Sequence, residues 1–380
     1  MSVDVISDIE GASHTLSSAV MGSTCGRTSG QNTSSGIRNR IWRVSVSTVS
    51  RVLNGRPDVS EKTRAAVLQV VQKTNFTQNS NAKNLKQRNS EIASIIVRGR
   101  QNSFLTDVAE RMISFGNQSK ARFALDFIDE QGDAFEAAHR QFAERKIEGI
   151  VFLGSSTAGK EREIRALPLP CVFATVDTSA LRCKGVSSVS VDDRLSARMA
   201  VDYLLDCGHR KIAVMGGRRE VDDGIGQRYR GVLQSFEARS LAFDERLYVE
   251  SHFTMGCAYE RALAFVRSGL ECTAMFCMSD TMAIGAIKAF SEFGLRVPDD
   301  ISVIGFDNIA LARFLTPTLS TVSQPAQLIA EKSVELISRL IHDPSDTENV
   351  IVPSRLVQGG TVRRLDGQEP PTRESARESA

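Results

Sequence analysis

The chain has 380 residues, of which 41% are hydrophobic, with 47 Lys/Arg set against 45 Asp/Glu. That length exceeds one ordinary domain, and that apolar content suffices for a sizeable core, so two or three domains are expected. No apolar run is long enough to span a bilayer and no secretory signal is read in residues 1–36; the seven cysteines (Cys25, Cys171, Cys183, Cys207, Cys257, Cys272, Cys277) include no CxxC pair, which fits reduced thiols in a cytoplasmic protein without a membrane partner.

In chain order, residues 1–36 are rich in Ser, Thr and Gly and are expected to be disordered. Residues 37–90 carry eleven Lys/Arg and two acids, Asp58 and Glu61, a local charge of +9 on a chain whose total is +2. Such a basic block on an acidic body suits a nucleic-acid-binding head; the alternative is a disordered basic linker. Within it, Ser45 can cap a helix over 46–54. A 100° wheel gathers Val49, Val52 and Leu53 on one side and turns Ser47, Arg51 and Asn54 outward, a polar and basic face that suits the major groove. An ordinary surface helical hairpin would show the same wheel. Asn54-Gly55-Arg56-Pro57 breaks the chain. Ser60 then caps a second helix, with Val67, Leu68, Val70 and Val71 expected on its buried side.

Residues 91–366 alternate short β-type runs with amphipathic helical stretches. Strands are expected at Ile92–Val97, Ala124–Ile128, Gly149–Leu153, Val172–Val176, Val186–Val191, Ile212–Met215, Ala274–Met278 and Ser302–Gly305. The alternation implies βαβ units and mostly parallel sheets. The span is long for one open sheet, so two doubly wound lobes are expected; a closed eight-fold barrel is the competing architecture. Residues 367–380 read as a disordered tail.

Ligands of open α/β sheets sit off the carboxyl ends of strands. Arg98, Arg100, Asn102 and Phe104 follow the first strand, Asp129 the second and Thr175 the fourth. Ser279 and Asp280 end a strand and open a helix, where Asp280 also reads as a helix cap, and Asp307 ends another strand. Carboxylates, an arginine fork and an aromatic face together suit a sugar or a sugar derivative. Arg98 and Arg100 beside an apolar strand would suit an acidic ligand such as a sugar acid or phosphate, or else form a solvated rim. The histidines are scattered without HxxxH or HExxH spacing, no GxxxxGK[ST] is present, and no nucleophile–base pair is visible. Neither catalysis, a cofactor nor a metal site is expected.

Ser45-Val46-Ser47-Thr48-Val49-Ser50-Arg51-Val52-Leu53-Asn54 followed by Val59-Ser60-x-x-Thr63-Arg64 resembles the recognition and third helices of the LacI/GalR (lactose-repressor/galactose-repressor) family. Val189-Ser190-Val191-Asp192-Asp193, Gly208-His209-Arg210-Lys211-Ile212-Ala213, Ser279-Asp280-x-Met282-Ala283-x-Gly285 and Arg296-Val297-Pro298-x-Asp300-Ile301-Ser302-Val303-x-Gly305-Phe306-Asp307 also resemble family signatures, in order, so the likeness covers about residues 43–365. It implies a small all-α helix-turn-helix head over 37–78, a hinge helix or linker over 79–90, and a periplasmic-binding-protein-like sensor of two doubly wound lobes over 91–366 that also dimerises. In the head, Val46 and Ser47 would read bases with Arg51 beside them, while Ser45, Ser50, Asn54 and Thr63 would hold phosphates. In the hinge, Leu85, with Ala82 one turn earlier, would wedge into the minor groove. Arg228 aligns with the family's effector-binding arginine, and Arg98, Phe104, Thr175, Ser279, Asp280 and Asp307 complete the expected effector set.

The expected partners are pseudo-palindromic operator DNA, a sugar or sugar-acid effector and a second copy of the chain. The departure is at the front: Arg38, Asn39 and Arg40 fall where the first helix should carry small or apolar core residues, and Arg43 where the family has a turn glycine. The abrupt onset near Arg43 points to a shifted reading frame or a misassigned start. If it is genuine, the alternative function is a sugar receptor that has lost DNA binding.

Overall fold

A computed structural model describes residues 51–52, 58–74, 92–118, 121–145, 147–181, 183–221 and 223–365. The chain divides into two compact units, 1–89 and 90–380. Ser45, Val46, Ser47, Ser50, Asn54, Ala82 and Leu85 lie outside the described residues, as do the whole expected first helix and hinge and the expected disordered ends, 1–36 and 367–380.

In the first unit, helix α1 spans Glu61–Thr74 and places Glu61 in its first turn, where the helix dipole favours an acid. Ser60 caps it as expected: its Oγ lies 3.4 Å from the Thr63 amide and 2.9 Å from Thr63 Oγ1. Val52 and Val67 are buried, whereas Leu68 is 43% exposed, against the expectation of an inward side chain. The buried ridge runs through Val67, and Leu68 stands one residue, or about 100°, around the helix from it.

The second unit contains two six-stranded sheets rather than a closed barrel. The first holds β1 (Ile92–Arg98), β2 (Arg122–Ile128), β3 (Gly149–Leu153), β4 (Cys171–Ala174), β5 (Val186–Ser190) and β11 (Asn349–Ile351), in the order β11-β5-β4-β3-β1-β2 and all parallel. The second holds β6 (Ile212–Gly216), β7 (Tyr248–Glu250), β8 (Ala274–Cys277), β9 (Ser302–Asp307), β10 (Ser320–Ser323) and β12 (Arg355–Val357), in the order β12-β10-β9-β8-β6-β7, with only β12 antiparallel. The strands GIVFL, CVFA, IAVMG and AMFC are buried along their whole length. Continuous apolar runs of this kind belong to parallel sheets covered on both faces.

Helices α2 (Ser103–Gln118), α3 (Ala134–Arg145), α4 (Glu161–Ala166) and α9 (Ala326–His342) serve the first lobe. Helices α5 (Asp193–Asp206), α6 (Gly224–Glu237), α7 (Met255–Arg267) and α8 (Asp280–Glu292) serve the second. No helix among the described residues is long and apolar enough to cross a membrane.

The chain passes between the lobes three times: from β5 into α5, from β10 into α9, which packs on α2 and the first sheet, and from β11 into β12. The crossovers are tied to one another. The Val352 amide donates to the Ser190 carbonyl at 2.8 Å, and the Ser196 and Ser354 hydroxyls lie 2.7 Å apart.

Two glycines let helices approach closely in the second lobe. A Cβ on Gly231 of α6 would sit 2.3 Å from the Arg194 carbonyl oxygen of α5, and one on Gly285 of α8 would sit 2.4 Å from the Met255 carbonyl oxygen of α7. Gly285→Val should therefore lower stability by about 1–3 kcal/mol in urea unfolding, because the backbones must separate. Gly256→Ala, with open space at its Cβ, should show no loss in the same measurement.

Candidate functional site

The sheet orders place a reversal between β1 and β3 in one lobe and between β6 and β8 in the other. Crevices open at such switch points, off the carboxyl ends of the strands. Here the two crevices form one cleft of about 1180 Å³, lined from the first lobe by Arg98, Phe104 and Thr175 and from the second by Arg228 and Asp307.

Arg228 stands in the second turn of α6, whose first turn is fixed by Asp223 accepting from the Ile225 and Gly226 amides. Its guanidinium is held on three sides. Nε donates to Asp193 Oδ1 at 2.7 Å, Nη1 donates to the Met278 carbonyl at 2.7 Å, and the group lies 3.7 Å from the centre of the Phe306 ring. A buried arginine satisfied in this way is fixed in direction, and its remaining N–H groups are donors for a ligand. Burial pushes the Asp193 carboxyl above its ordinary pKa, while Arg228 pulls it down.

Asp307 ends β9 with a positive φ of 112° and is 5% exposed. Its Oδ1 accepts from Gln324 Nε2 at 2.8 Å. Burial raises its pKa to about 7, against the pull of Arg228 and Gln324. Thr175, at the end of β4 in the other lobe, also takes a positive φ, 72°. Left-handed backbone in residues other than glycine stores about 1–3 kcal/mol each and concentrates at ligand clamps.

The first lobe supplies the rest of the lining. Phe104, 4% exposed, is placed by Asn102, whose side-chain oxygen accepts from the Phe104 and Leu105 amides. Arg98 Nε donates to the Glu130 carbonyl at 2.5 Å, and Arg100 lies 3.5 Å from Asp129. The Glu130 carboxylate crosses to the second lobe, 3.3 Å from His252 Nδ1 and 3.4 Å from the Phe253 amide. The lobes are thus bridged at the cleft as well as by the crossovers.

Ser279 and Asp280, expected beside the ligand, are not in the cleft lining. Ser279 caps α8, accepting from the Met282 amide. Asp280 is fully buried behind β9, where it accepts from Thr321 Oγ1 at 2.6 Å and the Ile309 amide at 2.8 Å. A Cβ on Gly305 would lie 2.2 Å from Asp280 Oδ1, so the carboxylate occupies the space that glycine leaves. Burial and the nearby Asp307 hold the Asp280 pKa well above the ordinary range. The supports of the site, Asp193, Phe306 and Gln324, were not singled out as ligand-site residues, although Asp193 and Phe306 fall inside the signature strings. In the first unit, Arg51 is exposed and pairs with Asp58 at 3.4 Å, and Thr63 is half-buried beside Ser60.

Because the folded protein raises the Asp307 pKa, ionising this group opposes folding. The penalty is absent below its unfolded value near 3.8, grows as pH rises toward 7, and is full above it. Asp307→Asn should therefore gain most in thermal stability relative to the wild type near pH 8, and the gain should shrink steadily toward pH 5. A difference independent of pH would contradict the assignment.

Comparison with known proteins gives two family matches. Residues 43–79 match the bacterial regulatory proteins of the lacI family, and residues 201–362 match the periplasmic binding protein-like domain. The first match begins at the residue where the resemblance begins. The HTH-type transcriptional regulator MalR of Clostridium butyricum is 34% identical over 326 residues, covering 84% of this chain and 96% of the relative. The ribose operon repressor of Haemophilus influenzae is 28% identical, covering 82% and 93%. Among solved structures, the regulator CelR in complex with cellobiose superposes with a TM-score of 0.64 at 22% identity. The lac repressor dimer bound to operator and the anti-inducer ONPF superposes at 0.63 and 23%. Each structure covers 84% of this chain with 96% of its own length, and at that identity the likeness is one of fold. The chain belongs to the LacI family of bacterial transcriptional regulators, with a helix-turn-helix DNA-binding domain and a periplasmic-binding-protein-like sensor.

Proposed function

We propose that the protein is a cytoplasmic repressor whose grip on operator DNA is set by a small polyhydroxylated metabolite held in the cleft. The observation that carries this reading is the pair Arg228 and Asp307: a fixed donor fork and a buried acceptor facing one interlobe cleft. Such a pair suits vicinal hydroxyls, and the apolar Phe104 of the same lining suits the face of a sugar ring. Closing the lobes around a ligand would change the spacing of two hinge segments at 79–90. The lac repressor relative is a dimer on its operator, and assembly of two copies of this chain in the same way would place two heads over 37–78 on a pseudo-palindromic site.

In the head, the exposed Arg51–Asp58 pair is of a kind worth about 0–1 kcal/mol. That is weak enough for Arg51 to exchange its carboxylate for a phosphate or a base edge. The test is fluorescence anisotropy on a panel of palindromic duplexes across a salt series. Two chains should bind each duplex, affinity should fall steeply with salt as counterions are released, and Arg51→Ala should weaken binding by about tenfold. A well-folded full-length protein that binds no duplex at low salt would leave only a sugar receptor, the outcome that Arg38–Arg40 and Arg43 would favour.

A further inference from the structure

The charged groups around the cleft are not evenly engaged. Of the acids lining it, Asp129 pairs with Arg100, Glu130 bridges to His252 and the Phe253 amide, and Asp133 caps α3 and meets Lys160. Asp223 caps α6, and Asp307 is bonded to Gln324. Glu250 is the one lining acid without a partner among the described residues. The cations divide differently. Arg100, Lys160 and Arg228 have acidic partners. Arg218, two residues beyond β6, and Arg261, on α7, are exposed and have no hydrogen bond or ion pair among the described residues. Arg98, the last residue of β1, donates from Nε to a backbone carbonyl and meets no carboxylate among the described residues.

Three guanidinium groups of the lining, from both lobes, therefore meet no acid among the described residues, while the lining as a whole is balanced, with six Lys/Arg and six Asp/Glu, so any preference for an anion is local to these three. Guanidinium groups match carboxylate and phosphate oxygens in pairs. The space allows it as well: about 1180 Å³ exceeds the roughly 300–1,000 Å³ usual for small-molecule sites, so a sugar ring at Arg228 and Asp307 leaves room for a second group.

We propose that the cleft takes an anionic sugar, its hydroxyls at Arg228 and Asp307 and its carboxylate or phosphate group held by Arg98, Arg218 and Arg261. This rests on the reading of the cleft as a sugar site and narrows it to a charge class. Because Arg98 comes from one lobe and Arg218 and Arg261 from the other, the anion would also bridge the two walls.

The test is calorimetry on the full chain with galactose, galacturonate and galactose 6-phosphate, and with glucose, glucuronate and glucose 6-phosphate. At least one anionic sugar should bind ten times or more tighter than its neutral parent, and the acid and phosphate arms separate the two sources of charge. In Arg98→Gln, Arg218→Gln and Arg261→Gln, each checked for an unchanged melting temperature, the ratio of anionic to neutral affinity should fall at least fivefold. Neutral sugars binding as tightly as their anionic forms, no binding of any anionic probe, or an unchanged ratio in all three variants would overturn the proposal. Operator binding without ligand is independent of all three results, so a failure here is distinct from a failure of the regulator reading, which the duplex titration reports.

Discussion

Arg228 and Asp193 meet at 2.7 Å with both side chains more than nine-tenths buried, and Asp193 is the first residue of α5, the helix by which the chain leaves the first lobe. The ligand fork is therefore anchored at a crossover. Asp307 repeats the arrangement, since its partner Gln324 lies between β10 and α9, at the second crossover. Each polar side chain at the back of the cleft is thus bonded to a segment that must bend if the lobes move. Under the proposed reading, a ligand that pulls on Arg228 or Asp307 would act on a crossover through one bond.

The arrangement carries an energetic penalty. Asp193, Asp280 and Asp307 all lie in the interior of the second lobe, and burial raises the pKa of each. Arg228 is the buried cation beside Asp193 and Asp307, engaged by Asp193 and the Phe306 ring. Removing one partner of such a buried pair typically costs about 3–5 kcal/mol, because the other charge is left uncompensated. Together with the positive φ angles at Thr175 and Asp307, this stores unfavourable energy at the site. In the proposed complex, ligand hydroxyls donating to Asp307, and ligand oxygens accepting from Arg228, would relieve part of it. A ligand that relieved this more in one arrangement of the lobes than in another would shift the equilibrium between them.

Much of this was legible in the chain. The eight apolar runs became strands within two residues of their expected ends, because a parallel strand covered on both faces is a continuous apolar string. Four strands carry no such string: Ser320–Ser323 is buried but three of its four residues are Ser or Thr, and Tyr248–Glu250, Asn349–Ile351 and Arg355–Val357 are edge pieces of three residues, each with exposed positions. Strand ends located Asp307 and Thr175 at the cleft, but position alone does not say which way a side chain turns. Asp280 follows β8 as Asp307 ends β9, yet it turns inward, and the signal for that was Gly305, whose missing Cβ makes the room. Leu68 shows the same limit on a helix, where one residue separates the buried ridge from solvent. Arg218 and Arg261 were invisible as site residues because they sit on a loop and a helix surface that only the fold brings to the cleft.

The central claim is that occupancy of the cleft and grip on DNA are one equilibrium. It is tested most directly by titrating operator DNA into the full-length protein twice, without ligand and with a sugar that calorimetry has shown to saturate the cleft. The account predicts operator affinities that differ by about 5- to 150-fold, the usual span of such couplings, with the same factor appearing in sugar affinity when DNA is bound. Superimposable DNA isotherms at full occupancy of the cleft would contradict it.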